Sequence, residues 1–350
     1  MKMPFSHSNG DKSRDQNRTD ALESDREYGN GNFRKNTFMR KFFLETDTSL
    51  ILAVLILLVL SRLVLGLFNR VGAQYCLAAM LLQVLCFAIP SIIFLYFKYF
   101  VPSITAKRHG VDSAFMPDVR LRLPALISLP AIIGAALALI SGALLIVLCI
   151  SGGDNYSFSL YNSFDASGKY GFTDVLLMTV AYAFIPAILE EFVFRGVMCA
   201  VYERHGLFPS FVFSTLFFTV AHLNAGGSLV FIFAGMIFWL LLYATDSLYV
   251  TVTVHFIYNL FCLFGLPYIN AFYGETVKVK LFVFVLTTVF LISAMIFCGG
   301  MAWLYRVRGK MPSYGDGFRP SLNFTLHELV SVPADICYVI YVLYAVFGSR

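Results

Sequence analysis

Residues 173–201 read TDVLLMTVAYAFIPAILEEFVFRGVMCAV, an apolar run longer than the ~20 residues a helix needs to cross a bilayer, interrupted by Glu190, Glu191 and Arg195. Ionisable side chains in hydrocarbon cost at least ~2.5–3.5 kcal/mol each, so those that persist face a bundle interior and usually carry function. The stretch therefore predicts one helix of a polytopic membrane bundle with its charged face turned inward. Glu191 and Arg195 lie one turn apart on the same face, and the plainest reading of them is a buried ion pair that fixes helix register. Adjacent helix positions diverge by roughly 100°, so Glu190 points elsewhere and has no counter-charge in its own helix. It must be neutral or be met by a group from another segment, which makes it the candidate for chemistry.

The rest of the chain supports that setting. Of its 350 residues 58% are hydrophobic and only 13% charged, with a mean hydropathy of +0.74, which excludes an ordinary soluble domain. The net charge of +5 comes without a basic, aromatic-interleaved patch, so nucleic-acid binding is not expected. Apolar runs fall at 49–68, 75–99, 123–150, 173–201, 208–223, 229–244, 247–265 and 280–304, giving an all-α bundle of about eight transmembrane helices. The two short runs are separated only by the breaker-rich link Asn224 to Ser228, which is expected inside the protein rather than in water. All seven cysteines lie in apolar stretches without CxxC spacing and read as small core residues.

Four regions are expected. Residues 1–47 form a polar tail, too poor in apolar residues to order; 48–122 hold two crossings and a basic loop. Residues 123–305 form the main membrane domain, with its core at 170–305, and 306–350 form a cytoplasmic tail with an interfacial or ninth helix at 329–348. Lys/Arg accumulate in cytoplasmic loops. Arg34, Lys35, Arg40 and Lys41 before the first crossing, Lys98 to Arg122 around the second loop, and Arg306, Arg308 and Lys310 after the eighth all fall on one side. The chain is therefore expected in the cell membrane with its N-terminus cytoplasmic.

Only two of the six histidines, His222 and His255, occur inside apolar runs. Either alone could be a satisfied core residue; together with Glu190 they ask for a common account. The turn Glu203 to Gly206 lies about fourteen residues after Glu190 and seventeen before His222. At ~1.5 Å per residue an antiparallel hairpin brings both to one level, roughly 20–25 Å from that turn. His255 and Asn259 share a face at i and i+4 but lie only ~12–18 Å from the turn Thr245 to Ser247, which must then be sunken. Asn259 taken alone reads as an interhelical hydrogen bond. A carboxylate, two imidazoles and an amide in a low-dielectric cavity supply a base for water and donors for an oxyanion; a metal-bound water is an equivalent route.

The three spaced motifs, Glu190-Glu191-x-x-Phe194-Arg195-Gly196, Phe218-x-x-x-His222 and His255-x-x-x-Asn259, resemble those of the CPBP intramembrane endopeptidases, the group of type II CAAX prenyl proteases and bacteriocin-processing, lysostaphin-resistance-like proteins. Ser214, Thr245, Ser247 and Leu248 agree with the flanks, and the resemblance covers about 170–305. It implies some eight helices around a conical cavity open to the cytoplasm, with water activated by Glu190 and His222 and the oxyanion stabilised by His255 and Asn259. The implied substrate is a membrane-associated or lipidated protein or peptide. If a divalent metal such as zinc takes part, Glu190, His222 and His255 are its candidate ligands. The competing readings are a non-proteolytic scaffold or bacteriocin-immunity protein of the same fold, and a proton-coupled transporter, for which no internal repeat is evident.

Overall fold

The computed structural model describes residues 47–67, 73–101, 117–151, 170–269, 279–308 and 318–347; the polar tail at 1–46 and most of the loops at 102–116 and 152–169 lie outside them. Ten helices form, and among the described residues there is no strand. They are α1 (Ser49–Leu65), α2 (Ala73–Leu95), α3 (Leu129–Ser151), α4 (Phe172–Glu203), α5 (Leu207–Ala221), α6 (Ser228–Thr245), α7 (Leu248–Leu260), α8 (Val279–Arg308), α9 (Phe318–Leu329) and α10 (Val332–Phe347). With every backbone group bonded inside a helix, such segments suit lipid.

The chain is a polytopic helical membrane protein. Six helices are long and apolar enough to cross a bilayer: Ala73–Phe100, Leu129–Ile150, Phe172–Glu203, Ser228–Thr245, Leu248–Ile269 and Lys280–Val307. The runs at 49–68 and 208–223 form α1 and α5, which are shorter than a full crossing. Residues 332–347 form α10, bent 57° from the preceding helix and packed on α1. Leu63, Phe284 and Met295 are more than 60% exposed, as lipid-facing side chains should be. Five of the seven cysteines are buried; Cys149 and Cys298 are exposed instead, because α3 and α8 each turn one side outward.

Close backbone approach holds α3 and α8 together. A Cβ at Gly134 would lie 2.5 Å from the Phe297 nitrogen, and one at Gly300 would lie 2.8 Å from the Ala131 nitrogen, so small residues let these antiparallel helices touch.

Polar contacts define the two ends of the bundle. At one end Asp47, just before α1, accepts from Lys98 (2.5 Å) and Arg204 (2.8 Å). Glu328 of α9 accepts there from the Asp47 and Thr48 amides, at 3.1 and 3.3 Å, and from the Tyr202 hydroxyl. The extended segment before α3 is bound across the same end: Arg120 meets Glu203 (2.6 Å) and Asp246 (3.3 Å), and Arg122 also meets Asp246. At the other end Arg62 of α1 donates to the His222 carbonyl at 2.7 Å, and the Ser228 hydroxyl meets that of Tyr341.

Candidate active site

Helix α4 is not uniform. Two π-helical turns, Val180–Phe184 and Phe192–Met198, flank the α-helical Ile185–Glu191; such widened turns concentrate at functional sites. Pro186 lies inside α4 just after the first of these turns, where it withholds an N–H from the helix, and the Ala181 carbonyl one turn back accepts from Gln83 at 3.2 Å. The two glutamates leave this segment in different directions.

Glu191 is fully buried, and its Oε1 accepts from Arg195 at 3.0 Å. The guanidinium also donates to the Gly235 carbonyl (3.3 Å) and lies between the rings of Phe218 (4.3 Å) and Phe238 (5.0 Å), where the ring faces attract a desolvated cation. The same Glu191 oxygen lies 3.0 Å from His255 Nδ1. Since a carboxylate paired with Arg195 accepts, Nδ1 carries the proton and the imidazole is oriented by Glu191.

Glu190 turns to the remaining nitrogens. Its Oε2 lies 3.7 Å from His222 Nε2 and 4.0 Å from His255 Nε2, and this buried oxygen has no hydrogen-bond partner among the described residues. His222 Nδ1 lies 2.7 Å from the Phe218 carbonyl, which can only accept, so Nδ1 donates and the Nε2 lone pair faces Glu190. The histidine rings stack on Phe231 (3.9 Å) and Phe238 (4.9 Å) respectively. The Phe218-x-x-x-His222 spacing thus serves twice, through the Phe218 ring beneath Arg195 and through its carbonyl on His222.

His222 stands at the very end of α5. Leu223 follows in the left-handed region (φ 49°), a conformation that costs a bulky residue about 1–3 kcal/mol and persists where surroundings over-determine it. Here Leu223 is buried, and Arg62 holds the adjoining carbonyl. His255 and Asn259 are both 3% exposed on α7, and Asn259 Nδ2 is buried without a partner among the described residues. The turn leading into α7 lies deep because residues 117–125 cover it: the Leu248 amide donates to the Arg120 carbonyl and the Ser247 hydroxyl to that of Arg122.

His222, His255 and Asn259 open onto a cavity of about 610 Å³, with Tyr258 on its wall and Arg62 and Tyr344 toward the far end of the bundle. A tetrahedral zinc with N and O ligands at ~2.0–2.2 Å holds those atoms about 3.3–3.6 Å apart; the two spacings at Glu190 are wider. Among the described residues no three His, Cys, Asp or Glu side chains are grouped to hold a metal ion. The arrangement does not fit a metal shell, and no step below passes through one.

The Glu191 to His255 bond, the Arg62 contact and the Phe231 and Phe238 platforms join segments distant in sequence; no spacing in the chain announces them. Fold and site together define a multi-pass membrane protein with two imidazoles and an amide on the wall of one cavity and the Glu190 carboxylate beside the two imidazoles. Residues 172–261, which run from the start of α4 to just past α7 and hold all three motifs, match the family described as type II CAAX prenyl endopeptidase Rce1-like, and in that stretch the chain is similar to its members. No curated protein and no solved structure matches the chain.

Proposed function

We propose that the protein is an intramembrane endopeptidase that hydrolyses a peptide bond of a membrane-associated or lipidated substrate with water activated by Glu190. The observation that carries this reading is the pair of acceptors, Glu190 Oε2 and His222 Nε2, 3.7 Å apart, the first without a hydrogen-bond partner among the described residues. A separation above 3.5 Å between two acceptors suits a bridging water. One proton of that water passes to Glu190 as its oxygen adds to the substrate carbonyl carbon. The carbonyl oxygen becomes an oxyanion facing the Asn259 Nδ2–H, while the water's second proton stays on the new hydroxyl, which donates to His222 Nε2. Collapse of the tetrahedral intermediate breaks the C–N bond, and the proton held on Glu190 goes to the leaving amine.

Glu190→Gln keeps the shape and removes the base. In reconstituted liposomes with a membrane-anchored reporter peptide, it should lower the cleavage rate by about 10²–10⁴-fold while thermal unfolding in detergent stays near that of the parent. Parent-level cleavage by the variant refutes the role given to Glu190. Comparing membrane proteomes with and without the protein would then identify the substrate.

A further inference from the structure

Helices α1 and α10 lie outside the matched stretch 172–261, yet both reach the histidine at the end of α5. A helix C-terminus leaves carbonyls without an internal partner and carries the negative end of the helix dipole. Arg62, in the last turn of α1, answers both needs, because its guanidinium donates to the carbonyl of His222 itself at 2.7 Å. The contact falls where the chain is strained. Leu223, the next residue, holds a φ of 49°, which costs a bulky side chain and persists only where its surroundings enforce it. Rotation of the peptide after His222 would move the end of α5, and with it the Nε2 that lies 3.7 Å from Glu190.

Behind Arg62 stands α10. The Tyr344 ring lies 4.9 Å from the guanidinium, within range of a cation–π contact. Tyr341 meets the Ser228 hydroxyl, and Tyr338 stacks on Phe217 of α5. Spaced three residues apart, these tyrosines neighbour one another along one side of α10. The link 222–228 between α5 and α6 is thus held at its first residue by Arg62 and at its last by Tyr341, and α10 supports both.

We propose that Arg62, backed by Tyr344, is a positioning residue for hydrolysis: it holds the strained end of α5 so that His222 Nε2 faces the attacking water, which makes α1 and α10 working parts of the peptidase. This rests on the hydrolytic reading of Glu190 and His222. Turnover should suffer rather than folding, because Arg62 is exposed and meets His222 through the main chain. The full chain in liposomes with the reporter peptide provides the test. Arg62→Ala should lower kcat by about 10- to 10²-fold, the scale of misplacing a reacting group by ~1 Å, with KM and the unfolding temperature near those of the parent. Tyr344→Ala should lower kcat less, and Tyr344→Phe should restore it, since either ring attracts the cation. Added to Arg62→Ala, Tyr344→Ala should change little, as expected of two residues acting through one contact. Parent-level kcat in Arg62→Ala, full additivity of the two changes, or a raised KM with kcat kept, which would make Arg62 a substrate contact, overturns the proposal. If Arg62→Ala does not fold, Tyr344→Ala against Tyr344→Phe decides by the same kcat. Glu190→Gln separates the two readings: parent-level cleavage by that variant removes the hydrolytic reading, whereas its inactivity beside a fully active Arg62→Ala removes only the role of Arg62.

Discussion

Asn259 and Glu191 touch the site in different ways, and their variants should fail differently. Asn259 Nδ2 is a buried donor with no acceptor among the described residues, so Asn259→Ala takes no bond made by that amide from the resting protein. Losing one oxyanion donor costs about 10²–10³ in kcat; that drop is expected with thermal stability held near the parent. Glu191→Gln discharges the partner of an Arg195 that is itself 1% exposed, and breaking such a pair from one side costs about 3–5 kcal/mol. It should lower the unfolding temperature as well as the rate, and unchanged stability would contradict the structural part assigned to Glu191. Because the Glu190, His222 and His255 spacings do not fit zinc, strong chelators should leave cleavage of the liposome reporter unaffected. A chelator-sensitive rate restored by zinc would overturn the metal-free step. At this scale the sequence was readable where one helix sufficed: the divergence of adjacent positions separates Glu190 from Glu191, and i, i+4 spacing joins Glu191 to Arg195. The bond from Glu191 to His255 spans sixty-four positions and depends on how α4 meets α7, which no local spacing encodes.

The element contacts set where these residues stand. A Cβ on Gly235 of α6 would lie 2.9 Å from Thr215 Cγ2 and 3.2 Å from Thr215 Cα on α5. Gly235→Val should therefore push α5 from α6, at a cost of about 1–3 kcal/mol for overpacking, and disturb Arg195, which donates to the Gly235 carbonyl. A fall in both unfolding temperature and cleavage rate is the expected result. The docking of α9 carries a pH dependence instead. His205, in the turn between α4 and α5, stacks on Phe324 at 3.7 Å and accepts from Arg204 through Nε2. Burial first, then the Arg204 charge with a smaller part from Lys98, holds the imidazole below its ordinary pKa against the opposing pull of Asp47. A histidine with a depressed folded pKa favours the folded state above its unfolded value of ~6.5, and that contribution is lost as pH falls through the folded value. The protection of α9 amides relative to their intrinsic exchange rates should fall on acidification below about pH 6.5, and His205→Asn should flatten the dependence. The hairpin of α4 and α5 was legible from residue counting. The same counting required a sunken turn before α7 but did not show what covers it: residues 117–125 fold over it, a contact made far along the chain from that turn.

Across the whole molecule, charge was visible in the sequence as clusters, but which clusters act as fasteners depends on burial. Arg120 is 12% exposed between two carboxylates, whereas Arg122 and Asp118 are 51% and 61% exposed. The exposed pair is open to screening over a Debye length of ~8–10 Å at ordinary salt and is worth about 0–1 kcal/mol; the Arg120 contacts bind one end of the bundle shut and are shielded. Double-mutant cycles separate the two. The coupling between Arg120→Ala and Glu203→Ala should be the larger and should survive high salt, while that between Arg122→Ala and Asp118→Ala should be small and vanish. Arg120→Lys keeps the charge but not the fork that reaches Glu203 and Asp246 together, so it should recover only part of the stability lost in Arg120→Ala. Equal couplings with equal salt sensitivity would mean that residues 117–125 rest on the bundle without fastening it, and the closed end would then need another cause.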